Sequence, residues 1–301
     1  MASPHHDWMI YSRSRGQSAI AAAAYAARIR TWDRRYVPEP QDHSHKTDLV
    51  FSGILLPPKA PSWMRDRRAL WSAVERREDR STRPEDAQVC RGKVVSFQRE
   101  LTMERNILTL LQYLEEQYVA RGIIIDFNVH DAEAEDGGRN WHTHLLATMR
   151  VVGPDGFGLK NRAWNGVNFR PRNGSRPHAL RDGMLLQQRA AWSDYVNAAF
   201  AEAGLDIRID HRSLKAQGID RMPQPRLGKA KHAKGQWAQQ RRDEVRDVAA
   251  YNGARQQARA GQRAAVKGKG AGIVAGAASA ASTARHDGRV ASAPGRGRHA
   301  Q

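Results

Sequence analysis

Two segments, Ile123 to His130 and His142 to Arg150, read as β-strands joined by a polar loop. In the first run, alternation puts Ile123, Ile125, Phe127 and Val129 on one face and Asp126, Asn128 and His130 on the other. In the second, Trp141-His142-Thr143-His144 sets two imidazoles two residues apart, and so on a common face. Pairing of the two strands across the loop brings His130 beside His142 and His144. Three neutral imidazoles leave open positions for water or phosphate oxygens, a set suited to a catalytic divalent ion. Asp126 is excluded from that shell, because it lies about 13 Å along the strand from His130. A His-x-His pair also occurs as two surface side chains, and spacing alone leaves both readings open.

The rest of the first 228 residues alternates strand and helix signals. Trp8 to Ser12 reads as a strand, and Ser18 then caps an alanine-rich helix that runs to about Arg30. Leu49 to Leu56 is a strand closed by Pro57-Pro58, and a helix after Ser62 carries Met64, Leu70, Trp71 and Val74 on one side. Lys93 to Phe97 reads as a short strand, and Ile107, Leu108, Leu111, Leu114 and Tyr118 stripe the next helix. Leu185, Trp192, Val196 and Phe200 mark a last core helix, ended by Gly204. The sum is an α+β domain: a mainly antiparallel sheet with helices packed on it.

Charge divides the chain. Lys+Arg outnumber Asp+Glu 49 to 31, a formal +18, which draws in acidic partners such as nucleic acid. From Lys229 onward 15 Lys+Arg face 4 acids, a net +11; residues 1–228 hold 34 and 27, a net +7. The break follows Met222-Pro223-Gln224-Pro225, read as a domain edge, so the expected division is 1–228 and 229–301. Residues 236 to 265, rich in Ala, Gln and Arg, read as helical; from Lys267 to Gln301 large side chains all but vanish and disorder is expected. Cys90 is the sole cysteine, which rules out an internal disulfide framework and a cysteine-clustered zinc site. No apolar run reaches the roughly 20 residues of a membrane span, and the start lacks a signal-peptide pattern, so a cytoplasmic protein is expected.

Several blocks carry a resemblance. Ser12-Arg13-Ser14-Arg15-Gly16-Gln17-Ser18-Ala19-Ile20-Ala21-Ala22-Ala23-Ala24-Tyr25 resembles the N-terminal motif of the MobA/MobL (MobQ-class) plasmid relaxases. Asp42-His43-Ser44-His45-Lys46 and Ile54-Leu55-Leu56-Pro57 are similar to the next blocks of that family, and His130-Asp131 with His142-Thr143-His144 to its metal motif. Asp210-His211-Arg212-Ser213-Leu214, Gln217-Gly218-Ile219 and Leu227-Gly228 match the block that closes the domain, so the resemblance spans about residues 8 to 228 in order. It implies an HUH-type endonuclease that nicks one strand at a plasmid transfer origin. The product is a free 3′ hydroxyl and a 5′ phosphotyrosine, and the step reverses to recircularise the DNA. The nucleophile then falls on Tyr25, otherwise readable as an aromatic packed in an alanine helix, while Tyr11 and Tyr36 read as structural. The ligands of a divalent ion, Mg²⁺ or Mn²⁺, fall on His130, His142 and His144. Arg13, Arg15, Lys46 and Arg150 are the candidate contacts to single-stranded DNA, and Trp141 is a candidate base-stacking residue. Accessory relaxosome proteins and a coupling protein are the implied partners.

The chain also departs from the family pattern. Gly92 and Val94 stand where members commonly carry the two acids of Arg-Glu-x-Glu, candidates for the tyrosine's proton acceptor, and Gln98 stands at the proline. His43 replaces the aromatic of the second block, and Arg226 the histidine before Leu-Gly. Another group or metal-bound water then serves as base, or the protein is a catalytically impaired relaxase relative that only binds DNA. A metal-dependent hydrolase using water, with Tyr25 dispensable, is a third class. No phosphate-binding Gly-x-x-x-x-Gly-Lys motif is present, so strand unwinding is expected from a partner.

Overall fold

The computed structural model describes residues 8–134, 137–164, 179–225, 227, 230 and 232–283. Contacts divide the chain into two compact units, Met1–His211 and Arg212–Gln301. The first holds β1 (Met9–Ser12), α1 (Ala19–Ala27), β2 (Arg30–Thr31), β3 (Gln41–Asp42), β4 (Leu49–Leu55), α2 (Arg67–Glu78) and β5 (Gln88–Ser96). It continues with α3 (Met103–Gln117), β6 (Ile125–Glu133), β7 (Arg139–Thr148), β8 (Arg150–Gly153), β9 (Gly156–Lys160) and α4 (Ala179–Glu202). The second unit holds α5 (Gln236–Thr283).

Strands β1, β5, β7, β6 and β4 form one antiparallel sheet in that order, the α+β architecture expected from the alternation. Ile125, Phe127, Val129, Leu145 and Ala147 pack on one face with Leu110, Tyr113, Leu114, Trp192, Val196 and Phe200 of α3 and α4. Burial there is what holds the two long helices to the sheet, since each fully buried large apolar side chain contributes about 1.5–3 kcal/mol. The opposite face carries Leu146, Val89 and Cys90 and is covered by α1 and α2. Asp126, Asn128 and His130, predicted for that face, are fully buried beneath the two helices.

Burying a carboxylate requires partners, and Asp126 has several. Arg67 of α2 donates to it through Nε (2.8 Å) and Nη2 (3.0 Å), Trp71 through Nε1 (2.9 Å) and Asn128 through its amide (2.9 Å). The cluster staples α2 to β6. Helix α1 lies flat because Ala19, Ala23, Ala26 and Ala27, buried on its inner side, bring its backbone close to the sheet. Ser18 Oγ accepts from Ile20 N (3.1 Å) and Ala21 N (3.4 Å), and the buried carboxylate of Glu75 on α2 accepts from Ala19 N at 2.8 Å. The first backbone donors of α1 are thereby satisfied from its own cap and from the neighbouring helix.

Several boundaries differ from the sequence reading. The alanine helix stops at Ala27, because Arg28 adopts the left-handed conformation (φ 54°) and turns the chain into β2. The helix after Ser62 breaks into a turn, Ser62–Arg65, and a helix newly capped by Asp66, whose carboxylate accepts from Ala69 N at 2.7 Å. Strand β5 begins at Gln88 rather than Lys93: Arg91, fully buried, and Gly92 interrupt the alternation that marks a strand. The hairpin of β8 and β9, turned at Gly156 (φ 90°), adds a pair of strands that the alternation does not announce.

In the second unit, Asn252 of α5 accepts from Met222 N and donates to its carbonyl, both at 2.9 Å, so the Pro-rich stretch is strapped to α5. The division at His211 therefore precedes the composition break at residue 228. Helix α5 also continues past Lys267, where disorder was expected, to Thr283, since alanine is the best helix former and no proline intervenes. Arg226, Gly228 and residues 284–301 lie outside the described residues. No described helix is long and apolar enough to cross a membrane.

Candidate metal and nucleophile site

Strand register builds the site. His130 pairs directly across from His142, and Asn128 across from His144, which brings the three predicted imidazoles together; their ligand atoms all lie within 4.8 Å of one another. Among the described residues they form the sole cluster of this kind. Asp126 is held away by α2, as its distance along the strand requires.

Backbone carbonyls assign the ring hydrogens. A carbonyl only accepts, so His130 donates from Nε2 to Ala26 O (2.7 Å) and His142 from Nδ1 to Asn140 O (2.7 Å). His130 Nδ1 and His142 Nε2 keep lone pairs. Burial pulls His144 down to about 3 and His130 to about 4, with neighbouring imidazoles and Arg28 adding to the effect. Both rings are therefore neutral near pH 7 and fit the donor set of a divalent ion.

Tyr25, from the outer side of α1, meets this cluster. It is 42 % exposed in a helix whose other side is buried, so its ring is reachable from solvent. Its ring centroid is 5.6 Å from His144 and 5.4 Å from His43, nearly perpendicular to both. Two cations flank the ring, Arg28 Cζ at 4.7 Å and Lys46 Nζ at 4.6 Å from its centroid. A cleft of about 870 Å³ opens beside Tyr25, walled by Tyr11, Tyr36, His43 and Gln17.

Arg28 and Asp48, not singled out in the sequence, tie these parts together. Arg28 grips Asp48 through Nε (2.7 Å) and Nη2 (2.8 Å) and donates to Tyr25 O (2.7 Å). Its Nη2 also lies 3.2 Å from His130 Nδ1 and donates to that lone pair. The Arg28 pair holds the Asp48 carboxyl well below the usual carboxylate range. Arg28 is the sole non-glycine residue with positive φ among those described, a conformation costing on the order of 1–2 kcal/mol. That left-handed turn is a signal that sequence patterning does not carry.

The remaining predicted residues go separate ways. Arg13 is bound to Glu75 (3.0 Å) and Asp79 (3.0 Å), and Arg150 to the buried carboxylate of Glu78 (2.7 Å). Arg15 is exposed on the turn after β1, away from Tyr25's cleft. Trp141 is half-buried against the α3–α4 core. Tyr36 donates to Asp79 at 2.7 Å. Val94 sits opposite His144 in the sheet, and Gly92 lies under Tyr11: a Cβ at position 92 would come within 2.5 Å of Tyr11 Cε2. Burial, Cys90 and Tyr25 push the Tyr11 phenol up to about 12, so it stays protonated where an acid would have stood.

Residues 17–237 match the MobA/MobL family. The chain is 34 % identical over 244 residues to a probable conjugal transfer protein TraA of Sinorhizobium fredii, covering 76 % of this chain and 21 % of that one. It is 30 % identical over 251 residues to a mobilization protein MobL of Acidithiobacillus ferridurans, covering 76 % and 63 %. The chain thus spans about a fifth of the length of the TraA protein it matches. A solved structure described as "Molecular Basis of Vancomycin Resistance Transfer in Staphylococcus aureus" superposes with a TM-score of 0.56 at 26 % identity, covering 69 % of this chain and 97 % of that one.

Proposed function

The chain belongs to the MobA/MobL family, and on that premise we propose that it is a cytoplasmic, metal-dependent relaxase that nicks one DNA strand at a plasmid transfer origin and holds it as a 5′-phosphotyrosine. Conjugal transfer and mobilization are what the related proteins are named for. The observation that carries the reading is an exposed tyrosine ring 5.6 Å from one of three clustered histidines.

In this mechanism Tyr25 Oη attacks phosphorus, the bond from phosphorus to the 3′ oxygen breaks, and the phenolic proton is balanced by the proton gained by that oxygen. One phosphodiester replaces another, so the reverse step needs no external energy source. A free phenol, with a pKa near 10, is a poor nucleophile at neutral pH and needs a proton acceptor. With Gly92 and Val94 in place of acids, and Asp48 committed to Arg28, we assign that role to His43. Burial first, then Lys46 and Arg28, keep its imidazole below the ordinary histidine value and so neutral. A Mg²⁺ or Mn²⁺ ion held by His130, His142 and His144 would supply positive charge to the scissile phosphate. Lys46 beside Tyr25 and Arg15 on the outer turn contact strand phosphates, whereas Arg13 and Arg150 shape the walls through Glu75 and Glu78. Accessory DNA-binding proteins and a coupling protein complete the assembly.

The test is a denaturing gel of the protein with labelled single strands tiled from its own replicon, in Mg²⁺ and in Mn²⁺. A labelled band at protein size, lost with Tyr25→Phe and with EDTA, is expected. Retarded but uncut DNA across the tiling would favour the DNA-binding relative disabled around Gly92 and Val94. Free cut ends without an adduct, unchanged in Tyr25→Phe, would favour a hydrolase using water.

A further inference from the structure

A second concavity, of about 860 Å³, lies on the other side of the Arg13–Arg15 turn from the Tyr25 cleft. It is walled by the start of β5, the end of α2 and the β8–β9 hairpin. Gln88, on its floor, is eight residues along β5 from Ser96, which faces His142; at 3.3 Å per residue that is about 26 Å. The groove is thus separate from the metal and nucleophile site.

Its lining is basic. Among the described residues no ion pair joins Arg15, Arg77, Arg80 or Arg162 to an acid, and the one acid of the lining, Asp86, is paired with Arg83. Behind them Arg150 and Lys160 share a single carboxylate, Glu78, at 2.7 and 2.5 Å. Burial pulls the Lys160 ammonium below its ordinary value despite Glu78, with Arg150 and Arg162 adding to the effect. Seven cations against the one acid of the lining focus a positive field in this concavity. Planar guanidinium forks fit phosphate oxygens in pairs. Tyr, Trp and Phe are all absent from the lining, so there is no platform on which a base can stack. Such a wall reads backbone, not sequence.

We propose that this groove binds the phosphodiester backbone of DNA that has passed over the Ser12–Gly16 turn from the Tyr25 cleft, a second anchoring site away from the cleavage chemistry. Continuity favours DNA over other polyanions, because Arg13 and Gly16 line the first cavity while Ser12 and Arg15 line the second. The inference rests on the relaxase reading above.

The full chain carrying Arg77→Ala, Arg80→Ala and Arg162→Ala together tests it, beside the same three positions changed to Lys. Affinity is measured against salt for a short single strand confined to the cleavage site, for a long single strand, and for one carrying flanking duplex. The Ala variant is expected to bind the short strand and form its adduct as wild type does. On the long or duplex-flanked substrate its slope of log affinity against log salt becomes shallower by about 2–3, at about 0.7 per single-strand and 0.9 per duplex phosphate. The Lys variant retains most of that slope. Equal slopes for wild type and the Ala variant on every long substrate would overturn the proposal, as would equal loss on the short strand. Loss of binding to anionic lipid vesicles with DNA binding unchanged would assign the groove to a membrane instead. Wild-type failure to form an adduct on the short strand would strike the relaxase reading and not the groove.

Discussion

At the residue scale, His43 and the Arg28–Asp48 pair carry the sharpest consequences. If His43 accepts the Tyr25 proton, the enzyme needs it neutral, so the rate falls as pH drops through a value below the ordinary 6.5 of histidine. Replacing His43 with Gln should slow adduct formation by about 100-fold or more and flatten that acidic limb; an unchanged limb in single-turnover kinetics would give the proton to another group. Arg28 donates to the His130 lone pair, so it competes there with a metal ion, whereas Asp48 draws the guanidinium aside. The two partners of one ion pair should therefore act in opposite directions on metal affinity. Arg28→Ala should tighten Mn²⁺ binding yet slow cleavage at least about tenfold, by removing a cation beside Tyr25. Asp48→Asn should weaken Mn²⁺ binding. Calorimetric titration showing both variants shifted the same way would mean that the pair merely holds the fold.

Among elements, α1 and α2 decide where the chemistry stands, and each is fixed by buried polar contacts rather than by apolar area alone. Asp126, fully buried, receives donors from α2 and β6, so truncating it leaves Arg67 and Trp71 Nε1 without their acceptor. Asp126→Ala should cost about 3–5 kcal/mol in denaturant unfolding; a loss below about 1 kcal/mol would mean that α2 is held otherwise. The strands that carry the histidines were legible because polarity alternates from Ile125 to His130 and because His142 and His144 stand two apart beside the apolar Leu145-Leu146-Ala147. Their register, and with it the meeting of His130 with His142, followed from one short loop. The first half of β5 was not legible, since a fully buried Arg91 beside Gly92 looks like a loop to any pattern of polarity. Arg28 carries no such signature either, because its role depends on a single left-handed φ angle at the end of α1.

For the whole molecule, charge is what distinguishes binding from cutting. Residues 236–301 carry 12 Lys+Arg and 4 acids, a net +8, and belong to a unit that compacts separately from the one holding Tyr25 and the histidines. Deleting them should lower affinity for long single strands and make its salt dependence shallower, by about 0.7 for each phosphate no longer neutralised. Adduct formation at saturating protein on a short strand should stay within about twofold, since α1, β6 and β7 are untouched. Fluorescence anisotropy across a salt series separates the two effects; a truncated protein that saturates but no longer cuts would place part of the active site in the second unit.

The most direct measurement is to digest the covalent adduct with trypsin and nuclease and to locate the retained nucleotide by mass spectrometry. Cleavage after Arg15 and Arg28 yields one peptide, Gly16–Arg28, in which Tyr25 is the sole tyrosine. A phosphonucleotide mass on that peptide, absent when His142 and His144 are both replaced by Ala, is the predicted result. The same mass on the peptide carrying Tyr11 or on that carrying Tyr36, or no adduct from DNA that is nonetheless cut, would contradict Tyr25 as the nucleophile.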